Sequence, residues 1–372
     1  IVFGDWSSDV CSSDLGQTYL IHAKIVPELK QDWKTDLTGT HIKASAPIAV
    51  ISGHTKGTFA RYSASMFGIK ADFIRNMLIE MMWPVELLGC EYISAPIKYL
   101  DRTVYGLVED DRGDLIRFVA TQDGTEIYQM RQDGTSLKKI GPTMKAGDVY
   151  NLLTMEDPAF YKSNKPVMVG QYGKAWVLNL PNPEISPKKD DLQNPSRNGQ
   201  GMLLTLAPIE RWTSYAAFRA VPRMDAFIYI TLRSSDVGKI KYDGEYLSTV
   251  FGPSTIRPIP GTPYSYIVEQ IGAGDHWLEA DKGASFAAYC YGNYDAYKDG
   301  FAYGYPVGIN YAAECNDSCY ITHSMVCGNV TGNAFAVDLQ TDTSCAAIFN
   351  VIFRGSASEN YKIGRASCRE RV

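Results

Sequence analysis

Four separate features of this chain recur at nearly one spacing, and this constrains its fold more than anything else in it. Gly16-Gln17-Thr18-Tyr19-Leu20 resembles Gly147-Asp148-Val149-Tyr150-Asn151-Leu152 and Gly274-Asp275-His276-Trp277-Leu278. Ser45-Ala46-Pro47-Ile48-Ala49-Val50 matches Asn164-Lys165-Pro166-Val167-Met168-Val169, with Asp281 to Phe286 as a weaker third copy. Met77-Leu78 with Pro84-Val85-Glu86 returns as Met202-Leu203 with Pro208-Ile209-Glu210. The run Ile116 to Ile127, with Asp123-Gly124-Thr125, returns as Ile228 to Ile240, with Asp236-Val237-Gly238. The chain therefore reads as a repeated unit of about 120–125 residues, cut at the start of its first copy.

Within a unit the local chemistry is that of short strands. Ile116-Arg117-Phe118-Val119-Ala120-Thr121 alternates as a half-buried strand does, and Asp123-Gly124 and Asp133-Gly134 turn the chain. Pro166 suits a strand start, where no ladder donor is needed. Six to eight short strands without a long helix predict an all-β fold of tandem β-sandwich-like units; a β-propeller-like arrangement is the alternative. One helix is expected, over Ala71 to Met82, where Phe73, Ile74, Met77, Leu78 and Met81 share a face before Trp83-Pro84. The Pro-, Asn-, Lys- and Asp-rich stretch Pro181 to Gln200 reads as an exposed loop. From residue 311 to 362 the composition shifts to what looks like the start of an immunoglobulin-like or PKD-like module. The two ends look foreign: Asp5 to Leu15 and Ile363 to Val372 read like translated sequencing adapters, so residues 1–15 and 363–372 are left out of fold reasoning.

Composition removes several function classes. Lys and Arg total 36 against 41 Asp and Glu, with no basic stripe, which argues against a nucleic-acid partner. No apolar run approaches the roughly 18 residues of a membrane span. Without Cys11 and Cys368, six cysteines remain: Cys90, Cys290, Cys315, Cys319, Cys327 and Cys345. The last four crowd together and are candidate disulfide cysteines, as befits an oxidising, extracellular or cell-surface location.

Asp36-Leu37-Thr38-Gly39-Thr40-His41-Ile42 through Pro47-Ile48-Ala49-Val50-Ile51-Ser52-Gly53-His54 resembles the N-terminal domain of the IgG Fc-binding protein family. So do Met77 to Pro96, Val119 to Thr125, Lys165-Pro166-Val167 and the closing Tyr303-Gly304-Tyr305-Pro306-Val307-Gly308. The resemblance covers about residues 16–310. It implies a secreted binding domain, and the layout after residue 312 is similar to bacterial members followed by immunoglobulin-like repeats. The family tends to place cysteines just after the Ser-Gly-His motif; here Thr55-Lys56-Gly57 follows.

Candidate chemistry is sparse. Cys315, Cys319, His323 and Cys327 stand four apart, a spacing that suits disulfides at a module junction better than a structural zinc site. His54 has no nucleophile motif beside it. Glu86 and Glu210 recur once per unit, as structural hydrogen-bonding groups would; glycoside hydrolysis by paired carboxylates is the sharper alternative. Asp110-Asp111-Arg112-Gly113-Asp114 reads as a solvated hairpin tip and lacks a complete calcium-ligand spacing. Asn316-Asp317-Ser318 and Asn329-Val330-Thr331 fit the glycosylation sequon. Tyr289, Tyr291, Tyr294, Tyr297, Tyr303 and Tyr305 concentrate rings among Gly and Asn, as a binding surface or as packing between modules. The expected function is a non-catalytic binding or adhesion module with no cofactor or metal, recognising an extracellular protein or glycan. A part of a carbohydrate-active enzyme and a structural spacer are the alternatives.

Overall fold

In a computed structural model, residues 18–23, 36–45, 47–57, 76–98, 114–155, 157–173, 201–294, 301–310, 323–325 and 336–338 are described. The chain divides into two compact units, Ile1–Asn310 and Tyr311–Val372. The larger unit is all-β, and its strand pairings repeat. It opens with a hairpin of β1 (Val50–Gly57) and β2 (Asn76–Met82), in which Ile51 faces Met81 and Ser52 faces Glu80. A 3₁₀ turn at Val85–Leu87 follows Pro84 and leads into β3 (Gly89–Ser94). Then come β4 (Asp114–Ala120), β5 (Thr125–Met130), β6 (Leu137–Met144), β7 (Val149–Met155) and the long β8 (Ala159–Gly173). β9 (Met202–Thr205) completes this middle copy.

The last copy repeats the pattern. After Pro208 and a 3₁₀ turn at Ile209–Arg211 come β10 (Tyr215–Ala220) and β11 (Asp225–Arg233). The hairpin of β12 (Ile240–Tyr242) and β13 (Glu245–Tyr246) runs into a single helical turn, α1 (Leu247–Val250). β14 (Arg257–Pro258), β15 (Tyr264–Ile271), β16 (Gly274–Ala280), β17 (Phe286–Tyr294) and β18 (Phe301–Gly308) close it.

The correspondence is one of pairing. The first half of β8 lies between β3 and β5, as β16 lies between β10 and β12. The second half lies between β4 and β9, as β17 lies between β11 and β18. In the middle copy both layers share β8 and form one curled seven-stranded sheet; in the last copy a turn at 281–285 separates β16 from β17, giving a four-stranded and a five-stranded sheet. Three of the recurring sequence features fall on equivalent strands. Ile116 of β4 pairs with Gln171 as Ile228 of β11 pairs with Cys290. Gly170 faces Thr205 as Ile51 faces Met81, so β1–β2 pair as β8–β9 do. The Gly-Asp feature is the exception: β7, after Gly147, pairs with β4, whereas β16, from Gly274, pairs with β10 and β12. What recurs there is turn chemistry, not position.

The expected helix over Ala71 to Met82 is corrected: Asn76–Met82 is a strand, and residues 71–75 lie outside the described residues. Burial follows a period of two, with Asn76, Leu78 and Glu80 inward. Asn76 is tied to two neighbours, its Nδ2 donating to Gly201 O at 2.8 Å and Ala302 O at 2.7 Å. Glu80 sits where β9 places Leu204, and burial pushes its carboxyl up to about 8 although the backbone N–H groups of Thr205 and Met81 bond it. Pro166 lies inside β8, at the irregular stretch where the pairing with β3 slips.

Two cores result. In the middle copy Phe118 meets Tyr161 edge-on at 5.1 Å, and this core runs on into Tyr229, Tyr264 and Tyr289 of the last copy. The second core lies between the two sheets of the last copy, around Phe218, Ile228, Ile230, Leu278 and Phe286. The junction between copies is tight enough to require glycine: a Cβ on Gly134 would fall 2.6 Å from the Gly261 nitrogen. In the smaller unit β19 (His323–Met325) pairs antiparallel with β20 (Ala336–Asp338). The rest of the expected immunoglobulin-like or PKD-like module lies outside the described residues, as do Cys315, Cys319, Cys327, Cys345, Tyr297, the Pro181 to Gln200 stretch and both ends.

Candidate functional site

The expected tyrosine surface is not one surface. Tyr289 and Tyr291 are fully buried and are corrected from binding-surface to core residues. β17 is an interior strand, between β11 and β18, and is covered on both faces, so its alternate side chains have no solvent side. Their hydroxyls are spent on backbone, as buried polar groups must be. Tyr289 Oη accepts from Ala207 N at 2.7 Å, and Tyr291 Oη accepts from Lys98 N at 2.9 Å while donating to Lys98 O. Burial holds both hydroxyls well above the ordinary tyrosine range. Tyr229 joins them, accepting from Ala95 N at 2.8 Å. Tyr229 and Tyr291 fasten the segment after β3 to the last copy, and Tyr289 fastens the segment after β9.

Tyr303 and Tyr305 are half-buried and stack at 6.1 Å. They reach the open edge of β10. Tyr305 Oη donates to Arg219 O at 2.7 Å, and Tyr303 Oη accepts from Val221 N at 3.1 Å. Cys290 lies beneath, its Sγ 3.6 Å from Tyr303 Oη, and burial pushes its thiol up. The side chain of Tyr294, on β17, is outside what is described. Cys90 and Cys290, the two cysteines among the described residues, are unpaired.

An exposed aromatic face lies instead on the outer side of the four-stranded sheet β10-β16-β12-β13. One row runs straight across it: Tyr215 faces Glu279, which faces Lys241, which faces Tyr246. In the next row Ala217 faces Trp277, and then Arg219 faces Asp275 with an ion pair of 2.7 Å. Tyr215, Trp277 and Tyr246 are 39–45% exposed. Lys241 Nζ sits 5.1 Å from the Tyr246 ring centroid and 3.4 Å from Asp281, which raises its pKa. Rigid aromatic rings ringed by charges are the composition of binding hot spots.

The backbone under this face is fixed. Asp243 and Gly244 both have positive φ, 51° and 91°, the two-residue turn that matches the twist of a hairpin. Asp243 Oδ1 accepts from Trp277 N at 2.9 Å, and Asp243 N donates to Trp277 O at 3.0 Å. His276 Nδ1 lies 2.7 Å from Asp243 Oδ2 and 2.8 Å from Tyr242 Oη, and Nε2 lies 3.1 Å from Gly272 O. Both ring nitrogens are therefore engaged within the fold. A Tyr-His-Asp group built this way positions Trp277; it offers no unoccupied nitrogen for proton transfer.

The remaining candidates are dispersed. Glu210 Oε1 accepts from Cys90 N at 2.8 Å, while Glu86 is exposed on its own turn. His54 is exposed on β1. Asp114, at the end of the expected hairpin tip, is buried in β4, accepting from Ile97 N at 2.9 Å and Gln171 Nε2 at 2.8 Å. Among the described residues no cluster of three His, Cys, Asp or Glu side chains could hold a metal ion, and no helix is long and apolar enough to cross a membrane. Sequence reading missed Tyr215, Trp277 and Tyr246. The signal was there in the alternation of Tyr215, Ala217 and Arg219 against Ala216, Phe218 and Ala220.

A family model described as IgGFc binding protein matches residues 14–292. No curated protein and no solved structure matches the chain.

Proposed function

The chain belongs to the IgGFc binding protein family, and from that premise we propose that it is a non-catalytic, extracellular protein-recognition module that binds through the outer face of β10-β16-β12-β13. The observation that carries this reading is the exposed set Tyr215, Trp277 and Tyr246 on a sheet whose backbone is clamped by Asp243 and His276. A preorganised aromatic face loses little entropy on binding and excludes water at its centre. A folded protein fits its breadth, and the Fc fragment of immunoglobulin G, the partner in the family's name, is the first to test. A glycan would stack on single rings and is the competing partner.

The test is biosensor binding of the chain to immobilised Fc, with a glycan array beside it. Trp277→Ala and Tyr215→Ala should each weaken protein binding tenfold or more, about 1.4 kcal/mol or above. Unchanged affinity in the double variant would remove this face from the reading. Turnover on glycan, ester or peptide panels that is lost in Glu86→Gln or His54→Ala would replace the reading with an enzyme.

A further inference from the structure

We propose that the chain associates with a second copy of itself head to tail, the leading hairpin β1–β2 of one copy seated on the aromatic face of β10-β16-β12-β13 of the next. This rests on the reading above, since it names a partner for the same face. The argument comes from a junction the molecule already contains. In the middle copy, Ile93 faces Phe160 at the position where Ala217 faces Trp277 in the last. Neighbouring strands agree: Tyr128 faces Lys162 as Lys241 faces Glu279. In the middle copy this surface is covered by the outer face of β15, β11 and β17, with Phe160 stacked on Tyr264 at 5.8 Å. The last copy presents the same surface with its aromatic ring exposed.

The complementary half is also present. In the leading hairpin, Ile51 and Met81 face each other as Tyr289 and Pro306 do in the last copy, the side on which Tyr289 packs against the middle copy. There the hairpin carries Ile51, Met77, Ile79 and Met81, all on one side and 50–63% exposed. Four large apolar side chains on one face of a two-stranded ribbon make a contiguous sticky patch, and two of them, Met77 and Met81, are flexible thioether chains able to repack against rings. The larger unit thus carries both halves of the internal junction. Contacts of this kind are heterologous and continue from copy to copy.

The test is light scattering of the full chain over a concentration series, with charge placed on either face. The wild type should grow beyond the mass of one chain as concentration rises. Met81→Arg and Trp277→Arg should each stay at one chain. Their equal mixture should form a species of two chains and nothing larger, because each supplies the face the other has lost. A wild type of constant single-chain mass overturns the proposal, as does a mixture that stays monomeric or a single variant that still assembles. Ile79→Lys with Tyr215→Arg repeats the experiment on different exposed residues, and thermal melts confirm that all four variants fold. If self-association fails while Trp277→Ala still loses Fc, the pairing falls and the recognition reading stands. If Trp277→Arg changes neither, both fall.

Discussion

Phe160 and Trp277 occupy the same place in the same strand pairing, yet Phe160 is 7% exposed beneath Tyr264 while Trp277 is 40% exposed. Their neighbours diverge in the same way. Glu91 and Lys162 form a 2.7 Å ion pair beside the covered ring, and Tyr215 and Glu279 take those places beside the open one. The difference shows that in a stack of β units a face is core or surface according to what lies on it. A ring is needed in both cases, for packing inside the stack and for recognition at its end.

Phe160→Ala should break the covered side most severely. Removing a buried ring costs about 3–5 kcal/mol, read as a lower denaturant midpoint. Trp277→Ala should stay within about 0.5 kcal/mol of wild type in the same melt while losing partner binding. Equal destabilisation by both would erase the distinction.

Glu80 extends the comparison to β2, where it stands in for Leu204. Its carboxyl rises from 4.5 to about 8 in the folded chain, chiefly through burial. The folded state therefore holds the proton more tightly than the unfolded one. Stability is unaffected below pH 4.5, falls as pH climbs from there, and has lost on the order of a few kcal/mol above pH 8. Glu80→Leu should flatten that decline and raise the melting temperature at pH 8; an unchanged pH profile would show that Glu80 is not the group responsible.

Tyr229→Phe sharpens the junction itself. It leaves Ala95 N–H without its 2.8 Å partner in a buried site and should cost about 1–3 kcal/mol. Arg219→Ala, which removes the exposed Arg219–Asp275 ion pair, should leave the melting temperature nearly unchanged. A large effect there would mean the open face carries structural load.

Much of this architecture was readable from residue order. Pro84 and Pro208, each before a 3₁₀ turn, and the matched strands of Ile116 and Ile228 revealed the copies, because prolines and alternating strands leave local marks. The helix expected over Ala71 to Met82 failed because Met77, Leu78 and Met81 share a helical face, whereas in the strand Leu78 points inward and Met77 and Met81 outward, and a buried Glu80 hid the period of two. The surface role expected of Tyr289 and Tyr291 failed for a longer-range reason. Nothing local to Tyr289 and Tyr291 tells that β17 has sheet on both faces. The exposed face was hidden likewise, since Trp277 differs from Phe160 only in lacking a neighbour above it.

The hydroxyls of Tyr303 and Tyr305 along β10 have a consequence for how such molecules meet. An outer strand normally offers a free ladder on which any other strand can zip, which is how β proteins run into fibres. Here side chains occupy rungs of that ladder at Arg219 and Val221. Sideways growth on this edge is thereby discouraged. On the proposed head-to-tail pairing, chains would add along one axis, layer upon layer, and part again on dilution.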